Sequence, residues 1–575
     1  LFEMENKLQS EAKQQANMHS CKLLLNTYIR ELAYKKQDDI QIIAMTKTFR
    51  VSFRASDVIV TGRLSYYSAM GEHEYDTIQD LSGQMVYVQD LVRWITRELS
   101  AEGSEGAISQ ELKQEVEEAP HDDLVRDFAE RVDNSLANLT LFIEKAGAFE
   151  MHDYCTSEQS LLYGHPFHPF PKNSRGFTEQ DVLRYSPELR NAFPLCYIAV
   201  RKDVYREEWV DDHHQIEWHD SVGQQLAQVV ESSSEQYGVL PVHPWQYKHI
   251  LGIAEVQSYM RERKIVLLGS FGPLAYPTSS VRTVYVPDMN CNIKLSLHMQ
   301  ITNMIRTNSA EQMRRTLDAS RYLDQHDCFE QDEHTHIAYE TGVTTCHFTD
   351  EGLTSLFTVA YRPIEFDPSC TFVVSSLVEA PLPGMPSRLM RMLGGERAEA
   401  EQWLSRYLQL SLLPLVRAGG ERGIHFEAHL QNTLVTLQEG WPVAFIVRDL
   451  EGVSVDIEHV NSAERDRSEL LFYPRDKAWA RTSYYFIVNH LGSLIHAIAR
   501  DVGVQEEHFW EMVREVLEEE LKRTGNAYVQ HLIEADAFMA KQNLVSCLRG
   551  ISQTPDYVPV QNVMNRVLNR IGVKK

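Results

Sequence analysis

Residues 164–172, GHPFHPFPK, cannot be helical. Three prolines, Pro166, Pro169 and Pro171, fall within six residues. Each fixes φ and removes a backbone donor, so the segment is a stiff loop. It carries His165, His168 and Lys172. Two imidazoles and an ammonium on a rigid loop suit a phosphate or a carboxylate, and a structural turn with a capping histidine fits the same pattern. A further His-Pro pair, in PVHPWQ (241–246), reads as a support behind a site, with His243 stabilising the turn.

A chain of 575 residues holds more than one folding unit, since single cores stop growing beyond ~250–300 residues. With 43% hydrophobic and 24% charged residues it is globular rather than disordered. A net charge of -25 repels phosphodiester backbones and anionic lipid, and no Lys/Arg-rich run offsets it. Nucleic acid is therefore not an expected partner. An anionic small molecule would instead need a local positive pocket. No apolar run reaches the ~20 residues of a membrane span. The first residues, LFEMENKLQSEAKQQ, lack the basic-then-apolar pattern of a signal peptide and an initiator Met, as a trimmed or engineered end would. Eight cysteines, scattered singly and without a CxxC, read as reduced, buried thiols of a cytoplasmic protein.

Periodicity divides the chain in three. Residues 1–150 are mostly helical around a strand-rich interruption (TKTFRVSF, DVIVTGRLSYYSA), with GSEGAISQELKQEVEEAPHDD as a solvated connection. Residues 151–345 are richer in Pro, His and short strands. In 346–575 strands (TFVVSSLV, AFIVRDLEG) alternate with helices (AWARTSYYFIVNHLGSLIHAIARDV, EEHFWEMVREVLEEELKR). Two clusters imitate metal sites: His213, His214, Glu217 and His219, and His326, Cys328, His334 and His336. Neither has zinc-site spacing, and both read as solvated loops. GxGxxG, GxxxxGK[ST] and GxSxG are all absent, so dinucleotide, P-loop and hydrolase-elbow chemistries have no support.

Three polar segments supply chemistry. YPTSSVRTVYV (276–286) offers Ser279, Ser280, Arg282 and Thr283 at the mouth of a strand. If extended, Ser280 and Arg282 share one face and Thr283 takes the other. Arg grips phosphate or carboxylate in a bidentate fork. KLSLHMQITNMIRTN (294–308) puts Lys294, Ser296, His298, Gln300 and Thr302 on one strand face and Leu295, Leu297, Met299 and Ile301 on the other, and ends in Arg306 and Asn308. Arg282, Lys294 and Arg306 then supply the positive pocket that the acidic chain otherwise lacks. HFEAHLQN gives His425, Glu427, His429, Gln431 and Asn432, and RDLEG gives Arg448, Asp449 and Glu451. A carboxylate pair at a strand end opposite an Asn suits Mg²⁺ bridging to nucleotide phosphates, and this order has the logic of kinase-like folds.

Taken in order, GHPFHPFPK, PTSSVRT, K…ITNxxRTN, EAHLQN and RDLEG resemble the NRPS-independent siderophore synthetases, the family of aerobactin and achromobactin synthetases, over about residues 150–500. The resemblance implies an α+β fold with thumb (1–150), fingers (151–345) and a remotely kinase-like palm (346–575). It implies ATP-dependent adenylation of a carboxylate, citrate above the other acids, then condensation with an amine or hydroxyl, in iron acquisition. By matching position, His168, Ser280, Arg282, Thr283 and Lys294 are implied ATP contacts. Thr302, Arg306, His429 and Gln431 are implied contacts to the acid, and Asn432, Asp449 and Glu451 form the implied Mg²⁺ and nucleotide end, supported by Glu427. Arg282, Lys294, Arg306 and His429 carry the implied chemistry. A homodimer is an implied assembly. The alternative is a kinase-like small-molecule phosphotransferase, which would release ADP rather than AMP; the cationic run from Arg282 to Arg306 favours the synthetase.

Overall fold

The computed structural model describes residues 2–103, 121–147, 149–211, 215–330, 332–382, 384–461, 465, 469–551 and 555–565. Most of the acidic connection expected over 103–123 lies outside them, as do His213 and His214.

Near the N-terminus, helices Phe2–Leu32, Val88–Gly103 and His121–Ala146 pack with an antiparallel meander of Ile40–Ile43, Thr48–Phe53, Val58–Tyr66 and Glu74–Asp80. The strand alternation of TFRVSF buries Phe49, Val51 and Phe53 against these helices. Far along the chain, helix Asn543–Leu548 returns to the same core through Leu544, Val545, Cys547 and Leu548. Its first amides are received by the buried Glu31 carboxylate (Leu544 N 2.8 Å, Val545 N 3.0 Å), at the helix end that favours negative charge.

An eight-stranded sheet runs in the order Tyr205–Trp209, Gly342–Cys346, Val359–Pro363, Cys291–Lys294, Thr283–Val286, Ile265–Pro277, Phe193–Arg201, Tyr237–Val242, with every neighbour antiparallel. Both its faces are covered. Leu195, Tyr197 and Ala199 face one core, while Cys196, Ile198 and Val200 face another. This is why PLCYIAV is continuously apolar rather than alternating.

A four-stranded sheet follows, ordered Thr335–Ala338, Trp441–Arg448, Thr433–Gln438, Thr371–Val373. It is backed by the largest core, which draws on helices Arg397–Leu410, Leu412–Arg422, Gly492–Val502, Glu507–Thr524 and Ala527–Glu534. Two expectations change here. TFVVSSLV is a strand only over Thr371–Val373 and then turns helical at Val374–Val378. The Val373 amide donates to Ser157 Oγ (3.1 Å), and Ser376 Oγ bonds back to the Val373 carbonyl (2.6 Å), so one distant and one local hydroxyl override the β-branched run. The helix expected over AWARTSYYFIVNHLGSLIHAIARDV is helical throughout, but Ser483–Leu491 is π-helical, a form that recurs at functional sites. No helix among the described residues is long and apolar enough to cross a membrane. None of the eight cysteines forms a disulfide.

His496 joins the meander to the C-terminal helices. It is 1% exposed, with Nδ1 3.2 Å from Glu506 Oε1 and Nε2 3.2 Å from Glu74 Oε1. Burial alone would lower its pKa, but Glu72, Glu506 and Glu74 outweigh this and raise it to about 9. Its stabilisation is therefore complete below the unfolded value of 6.5 and is lost as pH rises through about 9. We expect His496→Gln to be destabilised at pH 6.5 by on the order of 1–3 kcal/mol. Urea unfolding should show the gap from wild type closing between pH 7 and 9.5. A gap independent of pH would contradict this account.

Candidate functional site

The strands Ile265–Pro277 and Thr283–Val286 are joined by a tight turn rather than by an extended segment. Val281 sits at φ 68, and Val281 N donates to the Thr278 carbonyl (2.8 Å). Ser280 Oγ accepts the Thr283 amide (3.2 Å). The expected alternation of Ser280 and Arg282 against Thr283 therefore fails, because the ladder starts only at Thr283, opposite Lys294. Arg282, 8% exposed, donates from Nη1 to the Arg306 carbonyl (3.3 Å), the Thr307 carbonyl (3.1 Å) and Asn308 Oδ1 (2.7 Å).

The segment 294–308 is likewise not one strand. Cys291–Lys294 belongs to the large sheet, whereas Leu297–Ile301 and Met304–Arg306 form a hairpin that turns at Thr302, φ 57. The alternation within Leu297–Ile301 holds, with Leu297, Met299 and Ile301 buried. Doubling back brings Arg306 Nη2 to Thr302 Oγ1 (2.9 Å). Ser309 and Gln312 then form a capping box that opens helix Ala310–Gln325.

In the proline loop each imidazole locks a turn. His165 Nδ1 accepts Phe167 N (3.0 Å) and His168 Nδ1 accepts Phe170 N (3.2 Å). His243 does the same for Trp245 N (3.1 Å) at the start of helix Pro244–Leu251, inside a nest of Phe177, Tyr185 and Phe193. With Nδ1 accepting, a neutral ring carries its proton on Nε2. His168 Nε2 is buried and has no protein partner, and burial holds this imidazole well below its ordinary pKa. It offers a neutral N–H donor rather than a cation. Lys172 is not a free ammonium, since it is bound by the Leu161 carbonyl (2.7 Å) and Glu188 Oε1 (2.8 Å).

EAHLQN and RDLEG meet at the end of the four-stranded sheet. Asp449 takes φ 66, and Gly452 packs so closely on Glu427 that any Cβ there would overlap its side chain. His429 Nε2 lies 4.0 Å from Glu427 Oε1. Burial lowers the His429 pKa below its ordinary value despite Glu427, so the ring is neutral near pH 7. Gln431 Nε2 donates to Ser279 Oγ (3.1 Å), and Asn432 Nδ2 donates to the Glu427 carbonyl (3.2 Å). Asp449 Oδ1 and Glu451 Oε2 converge on Lys294 Nζ at 2.9 and 3.3 Å. Burial alone would raise the Asp449 pKa, but Lys294 and Arg362 bring it well below the carboxylate range. Lys294 thus meets carboxylates, where the resemblance implied a contact to ATP. The point that both carboxylate oxygens face is filled by Lys294 Nζ; Asp449, Glu451 and Asn432 line the same cleft, and their oxygens are of the hard type that Mg²⁺ prefers.

Every residue singled out above as an ATP, acid or metal contact lines a single cleft of about 1410 Å³. Burial, with Arg282 nearby, lowers the Arg306 pKa to about 10, and the guanidinium stays charged at pH 7. The cleft also recruits cations that pattern reading passed over. Arg481 Nη1 lies 3.5 Å from Glu427 Oε2, Lys541 Nζ donates to Tyr485 Oη (2.6 Å), and Arg315 Nη2 donates to Tyr473 Oη (2.9 Å). Arg481 and Tyr485 stand four apart on one helical stretch, a spacing that signals a shared face. Lys541 gives no such signal. Of the described members of the two metal-like clusters, His219 caps helix Asp220–Val230, His336 is exposed, and Cys328 is buried with its thiol pushed up to about 12. No three His, Cys, Asp or Glu side chains converge as a metal site among the described residues.

The three acceptors all take Arg282 Nη1, so the fork depends on where that one nitrogen is held, and the shorter lysine would not carry its ammonium there. We expect Arg282→Lys to lower stability by about 1–3 kcal/mol in urea unfolding, and a variant as stable as wild type would show that the fork is dispensable.

Residues 153–363 match the IucA / IucC family, and residues 401–555 match a family described as ferric iron reductase FhuF-like transporter. The first span ends with the large sheet's strand Val359–Pro363. The L-2,3-diaminopropanoate--citrate ligase of Staphylococcus aureus is 30% identical over 593 aligned residues, covering 97% of each chain. The N(2)-citryl-N(6)-acetyl-N(6)-hydroxylysine synthase of Vibrio mimicus is 27% identical over 91% of each chain. In fold, the chain is similar to ATP-bound aerobactin synthetase IucA of Klebsiella pneumoniae (TM-score 0.82, 23% identity, 96% of this chain and 99% of that one). It is also similar to the petrobactin biosynthesis protein AsbB of Bacillus anthracis (TM-score 0.79, 16% identity, 100% of both). With its ordered motifs in one cleft and a relative of that identity along its whole length, the chain belongs to the IucA / IucC family.

Proposed function

We propose that this protein is a siderophore-assembly ligase that uses ATP to adenylate a carboxyl group of citrate and passes the acyl group to an amine, releasing AMP and pyrophosphate. The observation that carries this reading is the cleft itself, in which Arg282, Lys294 and Arg306 meet His429, Asn432, Asp449 and Glu451. Support comes from relatives named for citrate: the Staphylococcus aureus ligase pairs it with L-2,3-diaminopropanoate, and a Bacillus anthracis relative, 26% identical, with spermidine.

The chemistry follows from charge. A carboxylate oxygen attacking an α-phosphorus brings two anions together, so the first requirement is cations fixed in advance. Arg282, locked by three acceptors, and Arg306, held by Thr302, meet it without rearrangement. Ser280 Oγ and the His168 Nε2–H add neutral donors. Asp449, Glu451 and Asn432 would hold the Mg²⁺ that accompanies ATP, an ion that neutralises phosphate charge. In the second half-reaction the amine must lose a proton as the C–N bond forms and AMP leaves. His429, kept neutral beside Glu427, is the group suited to accept it.

A panel of carboxylic acids with ATP, Mg²⁺ and hydroxylamine, read as hydroxamate and AMP, tests the reading. Citrate should give the strongest AMP signal; ADP in place of AMP with every acid would overturn it in favour of phosphotransfer. Arg306→Ala should cut acid-dependent AMP release by at least about 100-fold while ATP affinity stays close to wild type. Equal loss of ATP affinity would contradict the assignment of Arg306 to the acid.

A further inference from the structure

The turn that presents Ser280 and Arg282 is held from outside the cleft. Glu158, 1% exposed at the end of helix Tyr154–Glu158, accepts Ser279 N (3.1 Å) and Ser279 Oγ (2.7 Å) on Oε2. Its Oε1 lies 2.5 Å from Arg448 Nη1. Arg448 in turn donates from Nε and Nη2 to the Gln431 carbonyl (3.1 and 2.7 Å), and Gln431 Nε2 donates to Ser279 Oγ. The four residues close a circuit across segments far apart in sequence. Ser279 and Gln431 line the cleft; Glu158 and Arg448 stand behind it. Tyr154 Oη braces the same guanidinium, accepting from Arg448 Nη1 (2.9 Å).

We propose that Glu158 is the positioning residue of the nucleotide site, holding the turn 278–282 in register with Gln431 so that Ser280 and Arg282 meet ATP from one rigid unit. This rests on the ATP reading above. Only a carboxylate fits the position. One oxygen must accept from an amide and a hydroxyl while the other faces a guanidinium, so an amide side chain would aim its NH₂ at one donor or the other. Glu158 does not itself line the cleft and acts through Ser279 and Arg448.

Glu158→Gln and Ser279→Ala, made singly and together in the full chain, test the circuit. Glu158→Gln should raise both the ATP dissociation constant and the KM for ATP about tenfold and gain no further loss from Ser279→Ala. A Glu158→Gln protein that binds ATP as wild type does, or losses that multiply in the double variant, would overturn the proposal. If Glu158→Gln fails to fold, Ser279→Ala and Gln431→Ala run the same cycle from the cleft side, and multiplying effects again overturn it. Amide exchange at Ser279 and Val281 separates the two readings. Faster exchange in Glu158→Gln with no ATP binding by wild type would keep the circuit and sink the nucleotide reading, whereas unchanged exchange sinks the circuit.

Discussion

Lys294 ends a strand of the eight-stranded sheet, and the carboxylates it meets, Asp449 and Glu451, follow the last strand of the four-stranded sheet. The cleft exists because these sheets are pinned at that point. Two further buried pairs land on the same five residues. Arg448 pairs with Glu158, while Glu340, bound to Arg362, accepts the Leu450 amide (3.1 Å). Buried ion pairs rarely add net stability, because desolvation offsets the attraction. Removing one partner is costly all the same, so the pairs hold RDLEG to one geometry. They also over-determine the left-handed backbone of Asp449, a conformation that costs about 1–3 kcal/mol for a residue other than glycine.

The same logic lets cations gather inside a chain of net charge -25. A guanidinium leaving water needs its donors filled. Arg282 fills three contacts from the Arg306–Asn308 stretch, and that stretch is fixed in turn by Asn308, whose amide donates to the carbonyls of Lys294 (3.1 Å) and Thr358 (2.8 Å). The positive pocket is thus built largely from backbone carbonyls and amide oxygens. These satisfy Arg282 without cancelling its charge, whereas Lys294 is met by Asp449 and Glu451, and the field left over from the arginines is available to an anion.

How much of this was legible in the sequence divides along a physical line. Residue types forced by chemistry were readable, and His168, Arg282, Lys294, Arg306, His429 and Asp449 all reach one cleft. The turns between them were not. Val281, Thr302 and Asp449 adopt positive φ, yet none is the Gly or Asn that usually announces it. Their strain is held by tertiary bonds, such as Ser279 N to Glu158 Oε2 (3.1 Å) and Thr302 N to the Asn173 carbonyl (3.0 Å), and no local pattern encodes those. Arg481 and Tyr485 were hidden for a related reason. They sit in and beside a π-helical stretch whose composition matches an ordinary buried helix.

Histidines that look alike in sequence separate by which nitrogen is engaged. His165, His168 and His243 each precede proline, and each gives Nδ1 to the amide two residues on. Proline deletes one donor, and the ring accepts the next. That bond fixes the tautomer, so the outward Nε2 can only donate. A ring fixed in this way can bind an anion but cannot take a proton while its turn stays intact. His429 precedes leucine, and its Nε2 stands near a carboxylate. Of the histidines lining the chemical end of the cleft, it is the one whose surroundings suit proton transfer, and in the proposed reaction the proline loop is left with the separate task of offering a neutral donor to phosphate.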